Sequence, residues 1–332
     1  MEKIKAVQIG VGHDHAYAVV QTLTQRNDIF DYVGYVVVDG EEEVYQQRKD
    51  LYKNVKRLTL EEAFAIDGLQ AAFIETEDYN LTKYALLAAQ HGLAIQMDKP
   101  GGQDHAEFEQ LVDYCQEKGI IFHTGYMYRY NPAVQYVLSK VRAGEFGKVY
   151  YVEVEMSSLQ TKEKREWLKT YKGGMMNFLG CHLIDLMLQI QGVPQKMIPF
   201  NRSSGQDGVT AEDCAFAVFE YENGVSFIKT TAIESGGFMR RQLLICCEKA
   251  TIELNPMEVF VGNKMATDVY ITDADNARRW SYRGDKQTFG PFDRYENMYV
   301  EFADILLGKK ENPYTYEYEK LLHKTLMQAC GM

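Results

Sequence analysis

A strand-like run, Val7-Gln8-Ile9, delivers the chain into Gly10-Val11-Gly12, and a helical pattern resumes at Ala16, Val19 and Val20. Two glycines in that setting let the backbone turn tightly and bring its amides against a pyrophosphate at a helix N-terminus. Asp39, 27 residues beyond Gly12, ends the next strand-like run, with Gly40 after it and no adjacent arginine. A carboxylate there accepts hydrogen bonds from both ribose hydroxyls and repels a 2′-phosphate, which favours NAD over NADP. An Asp-Gly turn that merely closes the strand is the plainer alternative. Further along, Met97-Asp98-Lys99-Pro100-Gly101-Gly102 sets a lysine at the end of a fourth strand, the edge where open parallel sheets take their ligands. Such a lysine can donate a proton or a hydrogen bond to a substrate hydroxyl, with its pKa tuned by burial. His182, beside Leu183 and Leu186, reads on residue type alone as a core histidine of an apolar helix. His13-Asp14-His15 has the side chains of a metal site, but neighbours in a tight turn rarely converge on one ion and a helix N-terminus disfavours a cation, so no metal is expected.

The elements that must position these residues alternate. Strands are expected over 6–9, 32–38, 71–75, 94–97 and 120–124, and helices near 15–25, 41–50, 60–65, 81–91 and 105–117. Short apolar runs interleaved with helical periods predict a doubly wound parallel sheet, an α/β Rossmann domain over 1–124. After Gly125 the pattern changes to longer period-2 alternation, notably over 149–156, 213–221, 225–232, 241–247 and 251–254, with helices at 133–143, 295–307 and 318–330. That predicts a second, α+β domain over 125–332 built on a large, mostly antiparallel open sheet. Asn223-Gly224 is the turn expected between two of its strands, since both residues tolerate positive φ.

Composition excludes several classes. With 332 residues, 46% hydrophobic and 25% charged, the chain has material for two cores. A net charge of −11 repels a nucleic-acid backbone, and the basic clusters at 162–172 and 278–286 are interleaved with acids and aromatics, the pattern of a solvated surface. No apolar stretch approaches membrane-spanning length and no leader-like segment precedes the first strand, so a cytoplasmic protein with no membrane partner is expected. Six cysteines without zinc or redox spacing read as reduced, structural thiols.

Five segments, taken in order, resemble the Gfo/Idh/MocA family of sugar and polyol oxidoreductases. The family's Glu-Lys-Pro signature is similar to Asp98-Lys99-Pro100, and its Thr-Pro-Asn loop to Thr76-Glu77-Asp78. Its aromatic-Arg-Phe-x-Pro segment is similar to Tyr128-Arg129-Tyr130-Asn131-Pro132, followed by Gly144-Glu145-Phe146-Gly147. Its glycine-rich helix start carrying the catalytic histidine resembles Gly173-Gly174 through His182 and Asp185. The resemblance implies hydride transfer between a nicotinamide and a secondary alcohol of a sugar, inositol or related polyol. Lys99 and His182 would be the catalytic pair, with His182 as general base or acid. It implies Gly10, Gly12, His13, Asp14, Asp39, Thr76, Glu77, Asp98 and Lys99 as cofactor residues, and Tyr128, Arg129, Trp167, Asn177 and His182 as substrate residues. It also implies a homodimer or homotetramer formed through the open sheet.

Three positions depart from the family pattern. His15 stands at the third glycine of the turn, Glu77 replaces the loop proline, and Phe178 stands where dehydrogenases of the family commonly carry an aspartate four residues before the histidine. Two other functions therefore stay open. One is transient oxidation by a retained NAD that permits elimination of a glycosidic bond, and the other is a non-catalytic dinucleotide or sugar sensor.

Overall fold

The computed structural model describes residues 3–275 and 280–332, so Arg278, which opens the second basic cluster, lies outside the described residues. The chain forms two compact units, Met1–Tyr126 with Tyr295–His323, and Met127–Arg294 with Lys324–Met332.

The first unit alternates strand and helix: β1 (Ile4–Ile9), α1 (Ala16–Gln25), β2 (Phe30–Val36), α2 (Glu42–Arg48), β3 (Arg57–Leu58), α3 (Leu60–Phe64), β4 (Ala71–Ile74), α4 (Leu81–Gln90), β5 (Ala94–Met97), α5 (His105–Lys118) and β6 (Phe122–Thr124). The strands pair in parallel in the order β3-β2-β1-β4-β5-β6. β4 and β5 are buried at every position, as strands covered by helices on both faces must be. The order reverses between β1 and β4, which opens a crevice at the carboxyl ends of those two strands. Local chemistry ends the helices cleanly. The Asp104 side chain accepts from Ala106 N and Glu107 N at the start of α5, and Gly119 closes it in the left-handed region at φ 66°.

The second unit contains α6 (Pro132–Arg142), β7 (Val149–Glu155), α7 (Lys162–Trp167), α8 (Cys181–Gln191), β8 (Lys196–Arg202), β9 (Cys214–Tyr221), β10 (Gly224–Thr231), β11 (Gln242–Cys247), β12 (Ala250–Leu254), β13 (Val259–Val261), β14 (Lys264–Asp273) and β15 (Asp285–Phe292). They form a nine-stranded sheet, β13-β14-β12-β11-β7-β10-β9-β8, with β15 on β14; β7 and β10 are parallel and the other pairs antiparallel. β8 and β13 to β15 go beyond the strands expected. β8 buries none of its residues fully and carries Pro199, and β15 is mostly exposed and contains Gly290-Pro291, so neither shows the apolar alternation of an inner strand.

The β9–β10 hairpin forms where expected, but its two turn residues are Glu222 and Asn223, and Gly224 is the first residue of β10, opposite Tyr221. Neither Asn223 nor Gly224 takes positive φ. Gly224 is needed for another reason: a Cβ there would overlap the carbonyl oxygen of Tyr150 on β7.

The chain ends in α9 (Glu296–Leu306) and α10 (Tyr316–Ala329). The expected division at 124/125, with everything after it in the second domain, needs correction on this point. The first crossing falls at Tyr126/Met127, and Tyr295–His323 belongs to the first unit. Tyr299 and Phe302 set their rings against Phe73 of β4 at 5.4 and 5.5 Å. Thr124 donates to Glu319 (2.8 Å), Asn312 to Phe122 O (3.0 Å) and Tyr316 to Ile120 O (2.8 Å). Among the described residues no helix is long and apolar enough to cross a membrane.

Candidate active site

In the first unit the glycine turn lies at the switch point. Gly10 has φ +91°, and a Cβ on it would come within 2.5 Å of the backbone nitrogen and Cγ2 of Thr76, so only glycine lets β1 pass the loop after β4 this closely. Gly12 is confined by side chains instead, with the Glu41 carboxylate 2.5 Å from where its Cβ would be. His15, at the third glycine position, precedes α1 and sets its ring against Asp98, the residue after β5 (Nδ1 to Oδ2 3.1 Å), and Tyr295 (5.2 Å between rings).

His13 and His15 both reach Asp98, so the expectation that residues of this turn do not converge is corrected for those two. One ligand atom each from His13, His15 and Asp98 lies within 4.8 Å of the others. Asp14 does not join them; it faces Arg48 at 3.7 Å. Both nitrogens of His13 face oxygens: Nδ1 lies 3.1 Å from Asp98 and 3.7 Å from Glu75, and Nε2 lies 3.2 Å from Asp78 and 3.1 Å from Lys99 O. The His15 backbone N–H also points at Nδ1, at 3.2 Å, while the surrounding acids favour the protonated, charged ring. Burial opposes that charge, but Asp98 and Asp78 outweigh it and hold the His13 pKa well above its ordinary value. Burial likewise works against the Asp98 carboxylate, and His13 with His15 overcomes it and keeps Asp98 ionised well below the usual range. Glu75 is pushed up by burial and by the charge of Asp98. The cluster is thus an imidazolium–carboxylate pair beside a carboxyl group that favours its neutral form.

Lys99 lies two residues past the end of β5, is 2% exposed, and its backbone nitrogen donates to Asp98 Oδ1 at 2.7 Å. Asp39 is exposed at the end of β2 and lines a cleft of about 330 Å³ with Val38, Thr59, Leu60 and Tyr84. Arg57 lines the same cleft, so an arginine that is not adjacent to Asp39 in sequence is nonetheless beside the position expected to read the ribose.

Two residues that sequence reasoning missed dominate the turn itself. Glu41, 1% exposed, accepts from Val11 N at 2.7 Å and from Glu77 N at 2.9 Å. Arg48 donates to the carbonyl oxygens of Val11, Gly12 and His13 at 2.8, 3.3 and 2.7 Å. The only sequence signal for Glu41 is an acidic run, Glu41-Glu42-Glu43, closing over the end of β2. The glycines and Thr76 fit a dinucleotide pyrophosphate, because the backbone is bare and close.

In the second unit His182 lies in the first turn of α8, 1% exposed, entered through a π turn, Met176–Gly180. Such wide turns are frequent at functional sites. Tyr128 sets its ring edge-on to His182 at 5.1 Å, and its hydroxyl is held by Glu258, Arg241 (2.9 Å) and Arg294 (3.1 Å). Burial opposes ionisation of Glu258, but Arg294 and Arg241 keep its pKa below the ordinary value. Arg129 is a buried strut: its guanidinium bonds Asp185 of α8 at 2.9 and 3.1 Å, with side chains 0% and 1% exposed. Arg165, in the stretch expected to face water, is also buried, between Asp213 and Asp207. Asn177 is fully buried, and neither atom of its side-chain amide has a hydrogen-bond partner among the described residues. Phe178 forms an aromatic corner with Trp167 (5.5 Å), Tyr171 meets Trp167 at 5.0 Å, and the Lys164 ammonium lies 3.4 Å from the Trp167 ring centroid.

A model of the GFO/IDH/MocA C-terminal domain matches residues 134–253. A 2,7-anhydro-N-acetylneuraminate hydratase of Mediterraneibacter gnavus is 27% identical over 146 residues, 42% of this chain and only 38% of that relative's length. D-xylose 1-dehydrogenase (NADP(+)) 2 of Haloferax volcanii is 22% identical over 73% of this chain and 71% of its own. Among solved structures, a putative NADPH-dependent oxidoreductase from Desulfitobacterium hafniense superposes with a TM-score of 0.78 at 16% identity, over 100% of this chain and 95% of that one, a likeness that establishes the fold.

Proposed function

We propose a function from one premise: the chain belongs to the Gfo/Idh/MocA family of oxidoreductases. It transfers a hydride between a nicotinamide cofactor, NAD before NADP, and a secondary alcohol of a sugar, inositol or related polyol. The observation that carries the reading is Lys99, an ammonium-bearing side chain 2% exposed and two residues past β5, at the sheet edge to which the Gly10–Gly12 turn also comes.

The cofactor supplies the hydride acceptor. The chain supplies the rest. Gly10, Gly12, His13, Asp14, Thr76, Glu77 and Asp98 line the pyrophosphate and nicotinamide side, and Asp39 takes the ribose hydroxyls. The Lys99 ammonium stabilises the developing alkoxide, and His182 accepts the hydroxyl proton. Tyr128, fixed by Glu258 and two arginines, keeps the His182 ring in one orientation, the part that the missing carboxylate at Phe178 leaves vacant. The unpartnered amide of Asn177 hydrogen-bonds a substrate hydroxyl, and Trp167 with Phe178 offers the apolar surface on which the C–H face of a sugar ring rests.

Titration calorimetry with NAD, NADH, NADP and NADPH tests the cofactor, on the native chain and on Asp39→Ala. Micromolar NAD(H) binding that weakens in the variant is expected, followed by polyol-dependent NADH production that falls at least ~100-fold in Lys99→Met and His182→Ala. Dinucleotide binding with no turnover on any polyol overturns the catalytic part. The hydratase name of one relative favours a second reading, in which the alcohol is oxidised only transiently; substrate would then be consumed without net NADH. The same proposal has the protein working in the cytoplasm as a homodimer or homotetramer. Ile198, Phe200 and Val225 expose an apolar strip on the open sheet, and a monomer by light scattering at micromolar concentration removes that part.

A further inference from the structure

The hydrogen-bonding groups of the glycine turn can be accounted for almost completely. Gly10 N donates to Val36 O (2.9 Å), His13 N to Glu75 O (2.9 Å) and Ala16 N to His13 O (3.2 Å). His15 N donates to His13 Nδ1 (3.2 Å), and Val11 N donates to Glu41 (2.7 Å), which also takes Glu77 N from the loop after β4 (2.9 Å) and lies against Gly12. On the other side of the same peptides, Arg48 takes the carbonyls of Val11, Gly12 and His13. A carboxylate offers two oxygens on one centre, as a phosphate does, and charge-assisted bonds to backbone N–H groups are the strong kind. Glu41 also lies over Gly12 so closely that a methyl group on that residue would strike its carboxylate. The place is therefore filled, while burial and the neighbouring Glu77 push the Glu41 pKa up, so the carboxylate is held there at a cost.

We propose that Glu41 occupies the anion seat of the glycine turn and must withdraw before a dinucleotide pyrophosphate can bind, so that the protein carries an internal competitor for its own cofactor. This rests on the cofactor reading above. Two negative groups cannot share two amides in a buried site, and the apparent affinity for the dinucleotide is lowered by the fraction of molecules in which the seat is open. Arg48 keeps the peptides of the turn oriented whichever anion is present, so withdrawal is a motion of one side chain and not a remodelling of the loop. Asp39, exposed on the neighbouring surface, is left free to meet the ribose, and the two acids at the end of β2 have opposite effects on binding.

The experiment is calorimetric titration of NADH and, separately, inorganic pyrophosphate into the full chain and its Glu41→Ala and Glu41→Gln variants, with amide hydrogen exchange at Val11 and Glu77. Glu41→Ala is expected to bind NADH at least tenfold more tightly, Glu41→Gln by an intermediate factor, with pyrophosphate following the same order and exchange at Val11 rising in the ligand-free variants. Equal or weaker NADH and pyrophosphate binding in both variants overturns the proposal and makes Glu41 a ribose or structural residue. Tighter pyrophosphate binding without binding of any dinucleotide upholds the seat and overturns the cofactor reading instead. If the alanine variant fails to fold, the isosteric glutamine variant decides alone.

Discussion

The glycine turn of the first unit and the surroundings of His182 in the second are both buried polar sites, and they are finished to different degrees. In the turn, the amides of Gly10, Val11, His13, His15 and Ala16 and three carbonyls are taken up within the unit, by strand ends, by Glu41, by His13 and by Arg48. Around His182 the anchoring groups are satisfied, Tyr128 by Glu258 and Arg129 by Asp185, while the Asn177 amide has neither donor nor acceptor met among the described residues. A buried amide without partners destabilises a fold by about 1–3 kcal/mol, so it persists where a ligand completes it. A backbone motif fixes where an anion can bind, but nearby acids decide whether the place is open. A side-chain site, by contrast, can be held open by packing the neighbours and leaving one group unmet.

That contrast can be attacked in order of expected effect. Removing the strut under the second site, Arg129→Ala, strands Asp185 as a buried unpaired charge and should lower stability by about 3–5 kcal/mol in urea unfolding. A loss under ~1 kcal/mol would mean that the site is not built on that pair. On the cofactor side, His323 holds the loop after Lys99 through Gly102 O at 3.2 Å, and burial lowers its pKa to about 4. The unfolded chain takes that proton near pH 6.5, so the contribution is complete above that pH and is lost as pH falls toward 4. It amounts to about 3 kcal/mol, and His323→Gln should flatten the acid limb of the stability curve by that order. The smallest effect is the most telling. Asn177→Leu, of similar volume, should stabilise the ligand-free protein by about 1 kcal/mol in the same unfolding assay. A loss of stability would show that the amide has a structural partner and that the two sites do not differ in the way described.

Much of this was legible in the sequence because it is local. Apolar runs and helical periods placed every strand of the parallel sheet except the two-residue β3, and Asp104 and Gly119 mark the ends of α5 by their own chemistry. The turn at Gly10–Gly12, the lysine after β5 and the histidine of α8 stand at the elements expected for them. The edge strands β8 and β15 were not legible, since half-exposed strands with proline or glycine lack alternation. Arg165 was misread for a related reason, and the Arg129 pairing was equally invisible: an arginine in sequence gives no sign of whether an acid 48 or 56 residues away will bury it.

The sequence by itself determined the two sheet types, the bare glycine turn and the identity of the groups able to do chemistry, because each follows from period, propensity and side-chain type within a few residues. Only the tertiary structure decided that Tyr295–His323 returns to the first unit, that His13 and His15 share one carboxylate, and that Glu41 rather than Asp39 faces the turn. Those outcomes depend on which distant groups are brought within a few ångströms in a buried, poorly screened place. There the energy of a charge is set by its partners, and no local pattern records who they will be.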